Sequence, residues 1–169
     1  MSIMPEILTE QMRQEIDQWR QKFPKDQPRS ASLMALRIVQ NEVGYLTPEW
    51  MTAVAEYLNI PVTQVYEVAT FYGMYHHKPV GRFHVRICNN ISCCLKGSHQ
   101  ATAYLRDKLG VVDQPVSDDG LFSLSETECL AACTDAPVMV VNDREYIRQL
   151  TPKSIDDWIA QCRAQENHD

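Results

Sequence analysis

Four cysteines in two close pairs are the residues of this chain best suited to chemistry. Cys88 and Cys93 form the first pair, and Cys129 and Cys133 form the second pair much further along the chain. Thiolates are soft ligands, and four of them suit either a tetrahedral zinc ion or an iron–sulfur cluster. The quartet therefore predicts an inorganic centre, which would make the chain a structural module with zinc or an electron carrier with iron and sulfide.

The spacing within the pairs leaves the choice of metal open. Structural zinc sites use cysteine pairs with roughly two to four intervening residues, and both pairs here fall within that range. Small residues surround both pairs: Ser92, Gly97, Ala131 and Ala132. Small neighbours let backbone N–H groups approach sulfur, and such hydrogen bonds tune iron–sulfur potentials. The surroundings favour iron–sulfur, and a zinc-bound structural module is the alternative.

Other reactive side chains have simpler interpretations. A thiol–disulfide oxidoreductase needs a reactive Cys-x-x-Cys pair, and no two cysteines have that spacing, since Cys93 and Cys94 are adjacent. His76 and His77 would matter in a Rieske-type centre, but there two histidines replace two cysteines, and here the cysteines are complete. Cys162 lies on the apolar stripe of a predicted helix, which indicates a packed core thiol.

Composition excludes several classes of function. The formal net charge of -6, with scattered Lys and Arg, argues against a nucleic-acid partner. The chain shows neither a secretory leader nor an apolar run long enough to span a bilayer, so we expect a cytoplasmic protein without direct membrane insertion. In a reducing compartment, six cysteines indicate metal or redox chemistry rather than disulfides.

The first half of the chain has the apolar spacing of helices. Met12, Ile16, Trp19 and Phe23 recur at steps of three and four, which places them on one helical face. That face packs either on its own bundle or on a partner protein. The predicted helices cover about residues 9–23, a stretch from a Ser30 cap to Gly44, a stretch from Thr47 and Pro48 to about Leu58, and about residues 62–72.

The second half alternates strands and helices, and the pattern changes near Gly81. Phe83, Val85 and Ile87 alternate with polar residues, which predicts a strand leading into Cys88. The remaining predicted elements are a helix over about 98–109, a strand over about 121–124, a hairpin over about 138–148 and a last helix that Thr151 caps. This order predicts an α+β protein whose loops bring the cysteine pairs to one end of a sheet.

The ordered motifs resemble a known family. They are residues 68–72, then Pro79-Val80-Gly81, then the two cysteine pairs, the second followed by Asp135 and Pro137. Together they are similar to the 24-kilodalton subunit family of respiratory complex I, which in bacteria is the E subunit of NADH-quinone oxidoreductase. The resemblance covers nearly the whole chain. It implies a helical bundle domain over 1–80 and a thioredoxin-like α/β domain over 81–169.

The resemblance also implies the cofactor, its ligands and the function. One [2Fe–2S] cluster would be held by Cys88, Cys93, Cys129 and Cys133, and it would accept single electrons from FMN in a partner flavoprotein subunit. Cys94 follows a proposed ligand directly, so spacing alone leaves it as an alternative to Cys93, whereas the family spacing favours Cys93. The chain would act in an enzyme only as a subunit, with no catalysis of its own.

The implied partners are the FMN- and NADH-binding flavoprotein subunit and the rest of the peripheral arm of complex I. The resemblance implies that this arm lies on the cytoplasmic side of the inner membrane. The chain has no Gly-rich phosphate loop or Rossmann fingerprint, so we expect FMN and NADH on the partner and not on this chain. An equivalent small iron–sulfur subunit of an NAD-dependent hydrogenase or formate dehydrogenase shares these motifs and is the alternative within the family.

Overall fold

A computed structural model describes residues 7–166 and divides into two compact units, with the boundary between Pro79 and Val80. The first unit is helical. Its helices are α1 (Glu10–Arg20), α2 (Ser32–Val43), α3 (Pro48–Leu58) and α4 (Val62–Phe71). No helix within residues 7–166 has the length and apolar character needed to cross a lipid bilayer.

The apolar stripe of α1 packs inside its own unit. The Thr9 hydroxyl caps the helix by accepting a hydrogen bond from the Met12 backbone N–H at 3.2 Å. Met12 and Ile16 are buried in one core with residues of α2, α3 and α4, and Trp19 packs against that core. Of the two packing arrangements that the sequence left open, the structure has the bundle.

The predicted cap of the second helix is wrong. A single 3₁₀ turn occupies Pro28–Ala31, and α2 begins only at Ser32 with no side chain capping it. Pro28 fixes the backbone at the first position of this turn, and the Ser32 hydroxyl donates to the Arg29 carbonyl at 2.7 Å. Ser30 is therefore inside the turn. The helix ends at Gly44, which has a φ of 84°, as predicted.

The second unit is a four-stranded sheet with helices. Its elements are β1 (Phe83–Cys88), α5 (Ile91–Leu95), α6 (Ser98–Leu109), β2 (Phe122–Thr127), β3 (Met139–Val141), β4 (Glu145–Ile147) and α7 (Pro152–Glu166). The strand order is β2-β1-β3-β4. Strand β1 pairs parallel with β2 and antiparallel with β3, and β3 pairs antiparallel with β4. The α+β class is confirmed, and the strands and the two longer helices follow the predicted order, but the short helix α5, which carries Cys93, was not predicted.

One face of the sheet carries the main core of this unit. Val85 and Ile87 of β1 are buried together with Phe122 of β2 and with residues of α6 and α7. Successive side chains of a strand point to opposite faces, so Cys88 lies on the other face. The first cysteine therefore ends β1 outside the main core.

Strand β2 is longer than predicted. Ser123 and Ser125 alternate with its apolar residues and lie on the face opposite the main core. The Ser123 hydroxyl contacts the Nδ1 atom of buried His84 at 2.7 Å, and the paired backbone continues to the register Cys88 with Thr127. The serines of β2 make their hydrogen bonds with His84 of the neighbouring strand, so this part of β2 does not show the apolar residues by which a strand is predicted.

Gly81 provides a test of the close approach between the segment before β1 and β2. A Cβ atom at Gly81 would lie 2.7 Å from the Phe122 Cα atom and would also overlap the Phe122 carbonyl carbon. We expect Gly81→Ala to lower the free energy of unfolding by about 1–3 kcal/mol, because rigid backbone atoms must move. Denaturant unfolding monitored by circular dichroism measures the change.

Gly73→Ala is the matched control, because a Cβ atom there meets no atom within 4 Å. Its unfolding midpoint should stay close to that of the wild type. An equally stable Gly81→Ala variant would show that the approach of Gly81 to β2 is looser than in this structure.

Candidate metal centre

The strand order brings the two cysteine pairs to one end of the sheet. Strands β2 and β3 flank β1, and both the end of β2 and the start of β3 lie beside the end of β1. The loop over 128–138 that joins them must therefore cross the end of β1, where Cys88 lies. This loop carries Cys129 and Cys133.

The first pair is buried and the second pair is exposed. Cys88, at the end of β1, has 3% of its surface exposed, and Cys93, in α5, has 1%. Both belong to a small apolar cluster, separate from the main core, with Leu130, Val138 and Val140. Ala132 and Ala136 pack against this cluster. Cys129 and Cys133 are exposed, so the site has a protein-facing half and a solvent-facing half.

The Cys93 thiol faces other cysteines. Burial, together with a hydrogen bond to the Cys88 thiol, raises the pKa of Cys93 to about 11, and the nearby Cys133 contributes in the same direction. A backbone hydrogen bond from Val138 opposes the rise in pKa. At neutral pH the free thiol is therefore protonated, and metal binding must release that proton.

Backbone groups of the loop over 128–138, the crossing loop, make hydrogen bonds with the cysteines. The Val138 carbonyl accepts a hydrogen bond from the Cys88 N–H at 3.1 Å. The Ala131 N–H donates to the Cys129 sulfur at 3.3 Å, and Ala131 adopts a left-handed φ of 55°. Hydrogen bonds from N–H groups to sulfur are among the controls of iron–sulfur potential. The donor set therefore fits a thiolate-held centre.

Cys94 has different partners. Its thiol donates to the Asn89 carbonyl at 2.9 Å and accepts from the Ser98 hydroxyl at 3.7 Å. It lies outside the small apolar cluster that holds Cys88 and Cys93. Side-chain direction thus distinguishes two adjacent cysteines that spacing could not.

The residues set aside in the sequence have ordinary structural surroundings. The His76 N–H donates to the Gln40 side chain at 2.7 Å, and the His77 Nε2 atom lies 3.1 Å from the Ala69 carbonyl, all within the first unit. Cys162 is buried in the main core of the second unit, and this burial raises the pKa of its thiol to about 11.

Among the described residues, no three Cys, His, Asp or Glu side chains converge closely enough to hold a single metal ion.

The segment after β4 holds the crossing loop, which sequence reasoning missed. The Gln149 N–H donates to the Asp135 carbonyl at 2.8 Å, and the Leu150 N–H donates to the Pro137 carbonyl at 3.0 Å. Arg148 also lies 3.4 Å from the Asp135 carboxylate. The peptide bond between Ala136 and Pro137 is cis. Asp135 and Pro137 belong to a motif that the sequence shows. Their partners Gln149 and Leu150 use backbone N–H groups, which no residue pattern predicts.

Comparison with known proteins identifies the class. The profile of the thioredoxin-like [2Fe–2S] ferredoxin family matches residues 16–163. The chain therefore belongs to that family, and its cofactor is a [2Fe–2S] cluster rather than zinc. The fold is similar to that of an NAD⁺-reducing [NiFe]-hydrogenase chain, with a TM-score of 0.67 at 19% identity over 79% of this chain and 22% of that chain.

Sequence relatives narrow the class further. The chain is 41% identical to the second E subunit of NADH-quinone oxidoreductase of Rhizobium meliloti, over 92% of this chain and 90% of that protein. It is 41% identical to the E subunit of the same enzyme of Rickettsia bellii, over 84% and 85%. It is 37% identical to subunit 2 of the Thermus thermophilus enzyme, over 85% and 79%. Within its family the chain belongs with these oxidoreductase subunits, as an iron–sulfur electron-transfer subunit.

Proposed function

We propose that this chain is the subunit of NADH-quinone oxidoreductase that holds its [2Fe–2S] cluster with Cys88, Cys93, Cys129 and Cys133. The observation that carries the proposal is the loop with the second pair, which crosses the end of β1 beside the buried first pair. When bound, the cluster supplies reversible one-electron chemistry. The chain's own residues fix the sulfur positions, exclude water from one side and donate backbone hydrogen bonds to sulfur.

The contacts of the adjacent cysteines support Cys93 as the ligand. Its thiol faces Cys88 and Cys133, whereas the Cys94 thiol is engaged by Asn89 and Ser98. A ligand must release its proton and point at the metal, and the Cys93 thiol lies beside Cys88 in the buried apolar cluster, whereas Cys94 lies outside that cluster.

The electron donor in this proposal is FMN on a partner flavoprotein subunit that also binds NADH. This chain lacks a phosphate-binding loop, and its relatives are named as subunits of NADH-quinone oxidoreductase. The assembled peripheral arm lies on the cytoplasmic side of the membrane. Two exposed apolar residues near the cysteines suit a protein contact, because Ile91 is 74% exposed and Leu95 is 82% exposed on α5, the helix that carries Cys93.

Replacing Cys93 tests the ligand assignment. Cys93→Ser should abolish the cluster or strongly change its visible and EPR spectra, because a hydroxyl is a poor substitute for a thiolate ligand. Cys94→Ala, the matched control, should assemble a full complement of cluster. Loss of the cluster in Cys94→Ala with a normal spectrum in Cys93→Ser would mean that the assignment is wrong by one residue.

Charged substitutions on α5 test the partner contact. Ile91→Glu and Leu95→Glu should leave the cluster spectrum unchanged and weaken binding to the flavoprotein subunit by about tenfold or more, because each places a carboxylate in an apolar contact. Binding can be measured by titration of the labelled chain with that subunit, and cluster reduction by NADH in the same mixture gives the functional readout.

Val112→Glu is the control for these variants. Val112 is an apolar residue with 59% exposure, and it follows α6 in the connection to the start of β2, the end of the sheet away from Cys88. This variant should bind as the wild type does. If all three variants weakened binding to the flavoprotein subunit equally, or if none of them weakened it, α5 would not be part of the contact.

A further inference from the structure

Hydrogen bonds of Asn89 hold the turn over residues 88–93 in place. The Asn89 N–H donates to the Thr127 carbonyl of β2 at 3.0 Å. The Asn89 side-chain amide donates to the Glu126 carboxylate at 3.3 Å, and Arg106 of α6 binds the same carboxylate at 2.8 Å. The first two cysteines thus stand at the two ends of a turn that is anchored to both β2 and α6.

Cys94 makes a further hydrogen bond with Asn89. Its thiol donates to the Asn89 carbonyl at 2.9 Å, and its own N–H donates to the Asn90 carbonyl at 2.9 Å. The hydroxyl of Ser98, the first residue of α6, donates to the Cys94 sulfur at 3.7 Å. A chain of hydrogen bonds therefore runs from Ser98 through Cys94 to the turn.

We propose that Cys94 is a positioning residue for the cluster: as a hydrogen-bond donor to Asn89, it fixes the turn that joins Cys88 and Cys93. This inference rests on the proposed ligand set. The four residues between the two ligands determine how their sulfurs are oriented relative to each other. Removing the thiol takes this partner from the Asn89 carbonyl, which lets the peptide rotate and broadens the range of sulfur positions.

The chemistry of this role differs from that of packing. Cys94 is half-buried and lies outside both apolar clusters of the second unit. Serine retains a donor and an acceptor at this position, whereas valine retains most of the volume and loses both. A hydrogen-bonding role therefore predicts rescue by serine, and a packing role predicts rescue by valine.

Three substitutions in the full chain test the proposal: Cys94→Ser, Cys94→Val and Cys94→Ala. Each variant is purified anaerobically, and the decay of its visible absorption is followed in the presence of EDTA, with EPR spectra of the reduced form. We expect a normal amount of cluster in all three. The valine and alanine variants should lose it about fivefold faster than the wild type, the factor that one lost hydrogen bond gives, while the serine variant stays close to the wild type.

Ser98→Ala tests the same chain of hydrogen bonds from its other end. It leaves the Cys94 donor in place, so it should accelerate cluster loss less than Cys94→Ala does. The EPR line shape should broaden in the alanine and valine variants at position 94 and stay narrow in the serine variant, a readout that a change in global stability alone does not move.

The outcomes separate this proposal from the proposed function. A wild-type chain without visible absorption or an EPR signal would overturn the ligand set itself. A wild-type chain with a cluster, together with identical decay in all Cys94 variants, would overturn only the positioning role. Rescue by valine instead of serine would overturn the positioning role in favour of packing. Absence of cluster in Cys94→Ala would overturn the positioning role in favour of direct ligation by Cys94.

Discussion

The pairing of β1 with β2 on one side and β3 on the other is the constraint on which the site depends. Since β2 runs parallel to β1 and β3 runs antiparallel, the connection between the two outer strands has to pass over the end of β1. Cys88 ends that strand, and the connection carries the second cysteine pair. Residues distant in sequence thus become neighbours through backbone pairing, before any metal contributes to the fold.

The crossing also explains why the two cysteine pairs differ in environment. The pair on β1 and α5 lies in a small apolar cluster, where burial raises the pKa of Cys93 and opposes formation of a thiolate. The pair on the loop is exposed and receives a backbone N–H at Cys129. In the proposed site, a centre held between the two pairs would have one side closed by protein and the other side at the surface, where a partner protein could exchange electrons with it.

The sequence predicted the order of elements and the cysteine pairs because both depend on local pattern. Apolar spacing located the helices, and the alternation before Cys88 located β1. The start of α2 was wrong because Pro28 forms a 3₁₀ turn before the helix. The full length of β2 was missed because its serines are satisfied by His84 on the neighbouring strand, and strand order depends on pairing between distant segments. The different contacts of Cys93 and Cys94, on which the proposed ligand assignment rests, depend on side-chain direction on a five-residue helix, and spacing along the sequence does not contain that direction.

The central claim is that the four cysteines hold iron and sulfide. Metal and acid-labile sulfide analysis of the anaerobically purified chain, with an EPR spectrum after dithionite reduction, tests it most directly. We expect a reddish-brown protein with two irons and two sulfides per chain and a rhombic EPR signal on reduction. A colourless protein that contains zinc and gives no EPR signal would contradict it.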